Sequence, residues 1–499
     1  MRSGLGTGAR HTLNASTARA PVITAAIRET ARRTPDLPAF IRDGAPVGYA
    51  SLARQVGAAS AWLAREGIRA GDTVGITLRD EWLNLLLSLA LLHRGARQIT
   101  LAPHETMAYR ADLAARLATV AVIGTIPADA PGDARLLLPD AERFATEAPP
   151  DGALPAVGGE VVFFTSGTTG QPRLMTMTEA MLVSQAAALA AQGRVFHRQI
   201  SYDGNHAKRV SLRSLVTGGT EVLADSLRDD GLPGIVARHG IRRVHLSPQR
   251  LDALIEEDGG RAAAAWPDGA CIFTTGAKIP QAQRLRIQQA LRAKLFIQYG
   301  TTEFGTASIA GPDDHALHPD AAGPLQPGVE LQVLDDAGQP LPVGEAGLLR
   351  FRRPEGVVTG YLGDAAATAR AFRDGWFIPG DIGRITPAGQ LLVAGRQDDM
   401  MNLGGIKILP AEIEAVAEGF PGLVDCAAFA WRSAALGDLP MLAVVSAAGF
   451  DAAALLAHCR ARLGLRAPRR VLELPALPRN AQGKVLRREL ASLATTIAH

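Results

Sequence analysis

Thr165, Ser166, Gly167, Thr168, Thr169 and Gly170 put four hydroxyls and two glycines into six consecutive residues. Hydroxyl groups and unshielded backbone N–H groups are the donors with which a chain wraps phosphate oxygens, and glycine lets the backbone come close to them. Such a cluster alone also describes an ordinary loop. Its place is what points to an anion. It directly follows Val161-Val162-Phe163-Phe164, a short apolar, β-rich run preceded by Gly158-Gly159, which predicts a buried strand. The turn continues as Gln171-Pro172-Arg173 and has no closing Lys-Ser or Lys-Thr pair, which disfavours the phosphate loop of common kinases and ATPases.

Four further stretches carry groups suited to chemistry on a nucleotide. Phe296-Ile297-Gln298-Tyr299-Gly300-Thr301-Thr302-Glu303 is a second apolar run ending in hydroxyls, now followed by a carboxylate. Glu303 offers the hard oxygen that Mg2+ takes together with phosphate oxygens, or is a plain surface acid. Asp381 follows Gly375-Trp376-Phe377-Ile378-Pro379-Gly380. A carboxylate at a strand end can accept from both hydroxyls of a ribose, and equally can be a turn residue. Between Gly395 and Ile408, Asp398-Asp399 and Gly404-Gly405 suit a segment that changes its backbone angles. Lys484 follows Gly483 and precedes a basic helical stretch, so it can act as a mobile cation or simply face solvent.

Positioning these groups calls for alternating helices and strands. Apolar residues recur at helical spacing over 23–33, 49–66, 81–93 and 108–117, separated by strand-like runs at 73–78, 98–101 and 120–124. That alternation predicts an α/β fold with a parallel sheet, whose ligands lie beyond the carboxyl ends of the strands, where the 165–170 turn falls. The run 179–192 is rich in Ala and Leu and reads as a further helix, and strand-like runs return at 221–223 and 244–246.

Length and composition bound the rest. A chain of 499 residues accommodates two or three domains, and its formal net charge of +3 is too balanced for an electrostatic nucleic-acid partner. Cys271, Cys426 and Cys459 are odd in number and far apart, which predicts free thiols in a reducing, cytoplasmic setting and no structural zinc. Residues 1–20 lack the apolar core of a secretory signal and read as disordered. The most apolar run, Trp82 to Leu92, is too short to span a bilayer and reads as a buried helix. Asp313-Asp314-His315, with His318 and Asp320, looks like a metal cluster by composition, but Pro312 and Pro319 mark it as a loop. Gly4-Leu5-Gly6 imitates a dinucleotide fingerprint without the strand that one requires.

Taken together and in order, these five stretches resemble the acyl-adenylate-forming superfamily of acyl-CoA synthetases, peptide-synthetase adenylation domains and luciferases. The resemblance runs from Tyr49-Ala50-Ser51-Leu52 and Gly71-Asp72-Thr73-Val74 to the terminal Gly-Lys loop. It implies a large N-terminal domain of layered α/β subdomains over 21–397, which binds ATP and the acid. A small mobile C-terminal α/β domain over 398–499 would turn on a hinge at Asp398. It further implies that Thr165 through Gly170 hold the β and γ phosphates, that Glu303, with Thr302 beside it, serves the metal and the chemistry, and that Asp381 and Arg396 hold the ribose. Gly276 and Ala277 would lie against the adenine, with Tyr299 stacked on it and Gly300 and Thr301 completing the nucleotide site. Lys484 would bridge the acid's carboxylate and the α-phosphate. ATP and Mg2+ are the implied cofactors, a small carboxylic acid the substrate and coenzyme A the thiol acceptor; a carrier-protein thiol is the alternative, and a non-catalytic nucleotide-binding protein a more distant one.

The chain departs from the family at Arg173, where Lys is common, and at Ser201-Tyr202-Asp203-Gly204-Asn205-His206-Ala207-Lys208-Arg209. In the family this region helps wall the acyl pocket. Asp203, Asn205 and His206 there hint at a polar or compact acid, although each residue type is as readily a satisfied structural group.

Overall fold

The computed structural model describes residues 21–497 except 127–128, 132–133, 148–156, 166–172, 185, 187–193, 225–230, 259–265, 278, 280, 292, 354–356, 434–436 and 480–483. The N-terminal residues 1–20 and the turn residues Ser166, Gly167, Thr168, Thr169 and Gly170 therefore lie outside the described residues. The described residues form two compact units, the first within 21–165, 173–224 and 357–363, the second within 231–353 and 364–497.

In the first unit, the expected alternation appears as helices Val22–Arg33, Tyr49–Arg65, Glu81–Arg94 and Met107–Arg116 and strands Thr73–Ile76, Arg97–Thr100 and Ala121–Ile123. Helix Glu81–Arg94 starts where the Asp80 carboxylate accepts the Leu83 N–H at 2.7 Å, and every residue from Trp82 to Leu92 is buried. A helix apolar on all sides belongs inside a protein. Beside it a six-stranded sheet runs in the order Leu136–Leu137, Ala121–Ile123, Thr73–Ile76, Arg97–Thr100, Glu160–Thr165, Arg173–Thr178. Its pairs are parallel except the last, in which Thr165 lies opposite Arg173. A second set, Val195–Gln199, Thr220–Val222 and Pro38–Arg42, is also parallel, with Ala45–Gly48 turned back on Pro38–Arg42.

One expected helix of this unit is described only in part, and one helix was not expected from the sequence. The helix expected over 179–192 is described only as Glu179–Val183, since 185 and 187–193 lie outside the described residues. The polar stretch from Ser201 runs into a helix, Asn205–Val216, which hydropathy conceals because it buries Lys208, Arg209 and Arg213 beside Val210, Leu212 and Leu215.

The second unit contains parallel strands Arg243–Leu246, Cys271–Thr275 and Lys294–Thr301, with Gly305–Ala310 antiparallel to the last. Gly300 has no substitute at this hairpin, because a Cβ there would stand 2.0 Å from the Gly305 carbonyl oxygen. The stretch from Pro312, expected as a loop, is a short helix, Pro312–Leu317. The Asp314 carboxylate holds it by accepting from the Gly311 N–H at 2.8 Å and the Gln390 amide at 2.7 Å. An antiparallel sheet built within 321–396 follows, in which strands Asp381–Ile385 and Gln390–Arg396 pair Asp381 with Arg396.

Beyond the single turn Gln397–Asp399, the chain builds a five-stranded sheet with a core on each face. Met401, Ile408, Ile413, Leu442, Leu455 and Cys459 pack on one side; Phe429, Leu472 and Leu490 pack on the other. None of the described helices is long and apolar enough to cross a membrane.

Candidate functional site

Three residues expected at the nucleotide meet in the second unit. Tyr299 lies near the end of strand Lys294–Thr301, and Asp381 opens its own strand after Gly380, whose φ of +82° makes the turn. Register then sets Asp381 across from Arg396. The Tyr299 hydroxyl donates to Asp381 Oδ2 at 2.5 Å, and Arg396 Nη1 lies 3.2 Å from Asp381 Oδ1. Burial, then the Asp381 charge, push the Tyr299 hydroxyl well above its ordinary pKa, so it remains a neutral donor. Its ring is tilted against Phe351 at 6.3 Å. The expectation for Tyr299 was stacking alone; its hydroxyl contact with Asp381 is an addition.

Neighbouring groups follow from the same sheet. Thr275 pairs with Gln298, so Gly276 and Ala277 leave their strand beside Tyr299, at the carboxyl edge where open α/β sheets bind ligands. The tight turn after Gly300 is closed by the Phe304 N–H donating to Thr301 Oγ1 at 3.2 Å, which places Thr302 and Glu303 at its apex. Glu303 is only 9% exposed.

Asp398 is exposed in the turn Gln397–Asp399. After it, Gly404 and Gly405 turn the hairpin that carries Lys407, whose Nζ meets Asp336 Oδ2 at 2.7 Å. Lys484 is exposed just ahead of helix Arg487–Ile497. Arg487 anchors that helix start by donating to the Ala428 carbonyl at 2.9 Å and to Glu414 Oε1 at 2.7 Å. This anchor was not legible in the sequence, where Arg487-Arg488 read only as the start of a basic helix.

In the first unit, Thr165 ends its strand opposite Arg173, whose guanidinium carbon stands 5.4 Å from the centre of the Tyr361 ring. A planar guanidinium stacks on an aromatic face as an ammonium cannot, which gives the Arg-for-Lys departure a local partner. Asp203 accepts from Asn84 Nδ2 and from Ser201 Oγ, each at 3.2 Å. It lines a cleft of ≈ 250 Å3 with Glu81, Asn84, Arg198 and Tyr202; Asn205 and His206 do not line it.

Against known proteins, the profile of AMP-binding enzymes matches residues 27–362. The chain belongs to the AMP-binding enzyme family. A feruloyl-CoA synthase from Amycolatopsis is 29% identical, over 92% of this chain and 96% of its own. A CoA ligase for a methyl-dioxo-octahydroindenyl propanoyl group from Mycobacterium tuberculosis is 28% identical, over 94% and 98%. The solved structure of ATP-bound MatB from Rhodopseudomonas palustris shares the fold with a TM-score of 0.86 at 23% identity, covering 96% of this chain and 100% of that one. The AMP-binding fold is thus present as the mixed α/β, multi-sheet architecture described above.

Proposed function

We propose that this AMP-binding enzyme joins a small carboxylic acid to coenzyme A through an acyl-adenylate, with ATP consumed and pyrophosphate released. It is an acid–thiol ligase of the AMP-forming type. The observation that carries the reading is Asp381, held between Tyr299 and Arg396 at a strand end, in a chain that spans nearly the full length of CoA ligases. That carboxylate is set to accept from ribose hydroxyls. Gly276 and Ala277 border the base, and the hydroxyl-rich turn that begins at Thr165 takes the terminal phosphates.

Adenylation brings an acid's carboxylate oxygen against an α-phosphorus already surrounded by negative oxygens, so the site works by alignment and charge neutralisation. The ammonium of Lys484 bridges the two reacting groups. Mg2+ fits the oxygen donors of Glu303 and Thr302 and, when bound, supplies further neutralisation of phosphate charge. Rotation about Asp398 then withdraws Lys484 and presents the 400–408 hairpin for attack of the thiol on the mixed anhydride. Three free cysteines support a reducing, cytoplasmic setting.

ATP–pyrophosphate exchange with pools of aliphatic, aromatic and amino acids tests the reading, and silence with all of them sinks it. Lys484→Ala lowers adenylation by roughly 10²–10³-fold, the scale of losing one charge-stabilising donor, and lowers thioester formation from preformed adenylate far less. Equal losses in both half-reactions remove the role given to Lys484. Exchange without a thioester on free coenzyme A transfers the second step to a carrier-protein thiol.

A further inference from the structure

Lys484 is exposed, and an ammonium on a four-carbon stem samples many positions unless the backbone beneath it is fixed. A group that aligns reacting atoms has to be held closely, since a misplacement of about 1 Å costs roughly 10²-fold in rate. The chain just beyond Lys484 is fixed. Val485 is bridged antiparallel to Arg479 and packs on the Phe429, Leu472 and Leu490 core, and the Leu486 N–H donates to the Pro478 carbonyl at 2.9 Å. Arg479 Nη2 in turn donates to Asp425 Oδ2 at 2.7 Å.

Arg487 then opens helix Arg487–Ile497, the end at which the helix dipole disfavours a cation. Three partners hold its guanidinium there. Nε donates to the Ala428 carbonyl at 2.9 Å, Nη2 donates to Glu414 Oε1 at 2.7 Å, and Nη1 lies 3.9 Å from Asp399 Oδ2. Glu414 Oε1 also accepts the Ala428 N–H at 2.9 Å, so one carboxylate ties the guanidinium to strand Leu423–Ser433. The partners come from that strand, from helix Pro410–Ala417 and from the turn Gln397–Asp399. That turn contains Asp398.

We infer that Arg487 is a positioning residue for Lys484: its guanidinium locks the start of the helix, just beyond Lys484, to the turn at Asp398, so that rotation about the turn carries Lys484 as a rigid arm. This role rests on the ligase reading above and on the parts it gives Lys484 and Asp398. Only adenylation uses the Lys484 ammonium, so only that half-reaction feels the loss of the lock. A guanidinium that merely covered the edge of strand Leu423–Ser433 would be kinetically silent.

The test compares Arg487→Met with Arg466→Met, which removes a similar ion pair, at 2.9 Å, to Glu412 of helix Pro410–Ala417. Each full-length variant is assayed for ATP–pyrophosphate exchange and for thioester formation from preformed adenylate, with hydrogen exchange of the Leu486 amide read alongside. Arg487→Met lowers kcat for adenylation about ten- to hundred-fold, keeps KM for ATP within about threefold and leaves thioester formation within about twofold. Its Leu486 amide exchanges about tenfold faster. Arg487→Lys keeps the charge but not the planar fork and recovers part of the rate. Arg466→Met changes none of these. Equal losses in both half-reactions, unchanged adenylation in Arg487→Met, or an effect matched by Arg466→Met overturns the assignment. Should Arg487→Met not fold, Arg487→Lys and Asp399→Asn carry the same split. Silence of the unaltered enzyme with every acid removes the ligase reading on which the assignment rests, whereas an unchanged Leu486 exchange in Arg487→Met removes the lock whatever the enzyme catalyses.

Discussion

Arg198 and the arginines of helix Asn205–Val216 lie close in sequence and are similarly removed from solvent, yet they are treated in opposite ways. Arg198 stands between two carboxylates, Glu81 at 2.5 Å and Glu221 at 2.6 Å, and donates to the Ser211 hydroxyl at 3.0 Å and the Ile200 carbonyl at 2.8 Å. The two glutamates raise its pKa against the opposing effect of burial. Arg209 and Arg213 face no carboxylate among the described residues. A buried cation that the chain neutralises supports the fold; one that it leaves bare works against it.

The largest expected effect separates these two cases directly. Arg198→Met strands Glu221 in the interior, beside a part-exposed Glu81, and costs about 3–5 kcal/mol of stability, the scale of removing one partner from a buried pair. Arg213→Met removes an uncompensated charge and leaves the protein about as stable, or more so. Urea denaturation at neutral pH reads both. Equal losses in the two variants abolish the distinction.

Asp381 extends the comparison to the second unit, where a buried anion at the proposed nucleotide site is satisfied by its own chain. Asp381→Asn weakens the charged contacts to Arg396 and the ribose by about 1.5–3 kcal/mol, roughly ten- to hundred-fold in the KM for ATP. Tyr299→Phe leaves the carboxylate in place and has the smaller effect. Measuring ATP dependence of pyrophosphate exchange ranks them, and a larger defect in Tyr299→Phe means that the hydroxyl, not the carboxylate, holds the nucleotide.

What could be seen in advance follows the same division. Asp381 was singled out by its place after the turn residues that end in Gly380, a local signal, whereas Tyr299 and Arg396 were singled out only through the family resemblance. Their hydrogen bonds were not legible, since Tyr299 and Asp381 are 82 residues apart in sequence. The helices and strands of the first unit were legible wherever apolar spacing was regular. Helix Asn205–Val216 escaped because three of its buried positions are charged, and without the helix nothing in the sequence aligns Arg209 with Arg213. Arg487 escaped for a different reason: its partners, Glu414 and the Ala428 carbonyl, come from elements brought near only by the C-terminal sheet.

Glu179 is a third kind of buried charge and has the smallest expected effect. Its carboxyl, 1% exposed, has no cation beside it among the described residues and accepts backbone N–H groups from Ile23 at 2.7 Å and Gly159 at 3.2 Å. Burial outweighs these bonds and raises its pKa to about 7 from an ordinary 4.5. The folded protein therefore holds a proton that the unfolded chain releases, so the contribution is fully present below pH 4.5 and is lost as pH rises toward 7. Between pH 5 and 7 the change is on the order of 2 kcal/mol. Glu179→Gln keeps one acceptor and cannot ionise, so its stability varies less between pH 5 and 7 even where its absolute stability is lower. An unchanged pH profile in that variant means that backbone N–H groups alone hold the carboxylate ionised, and a buried charge then needs no counter-charge to persist.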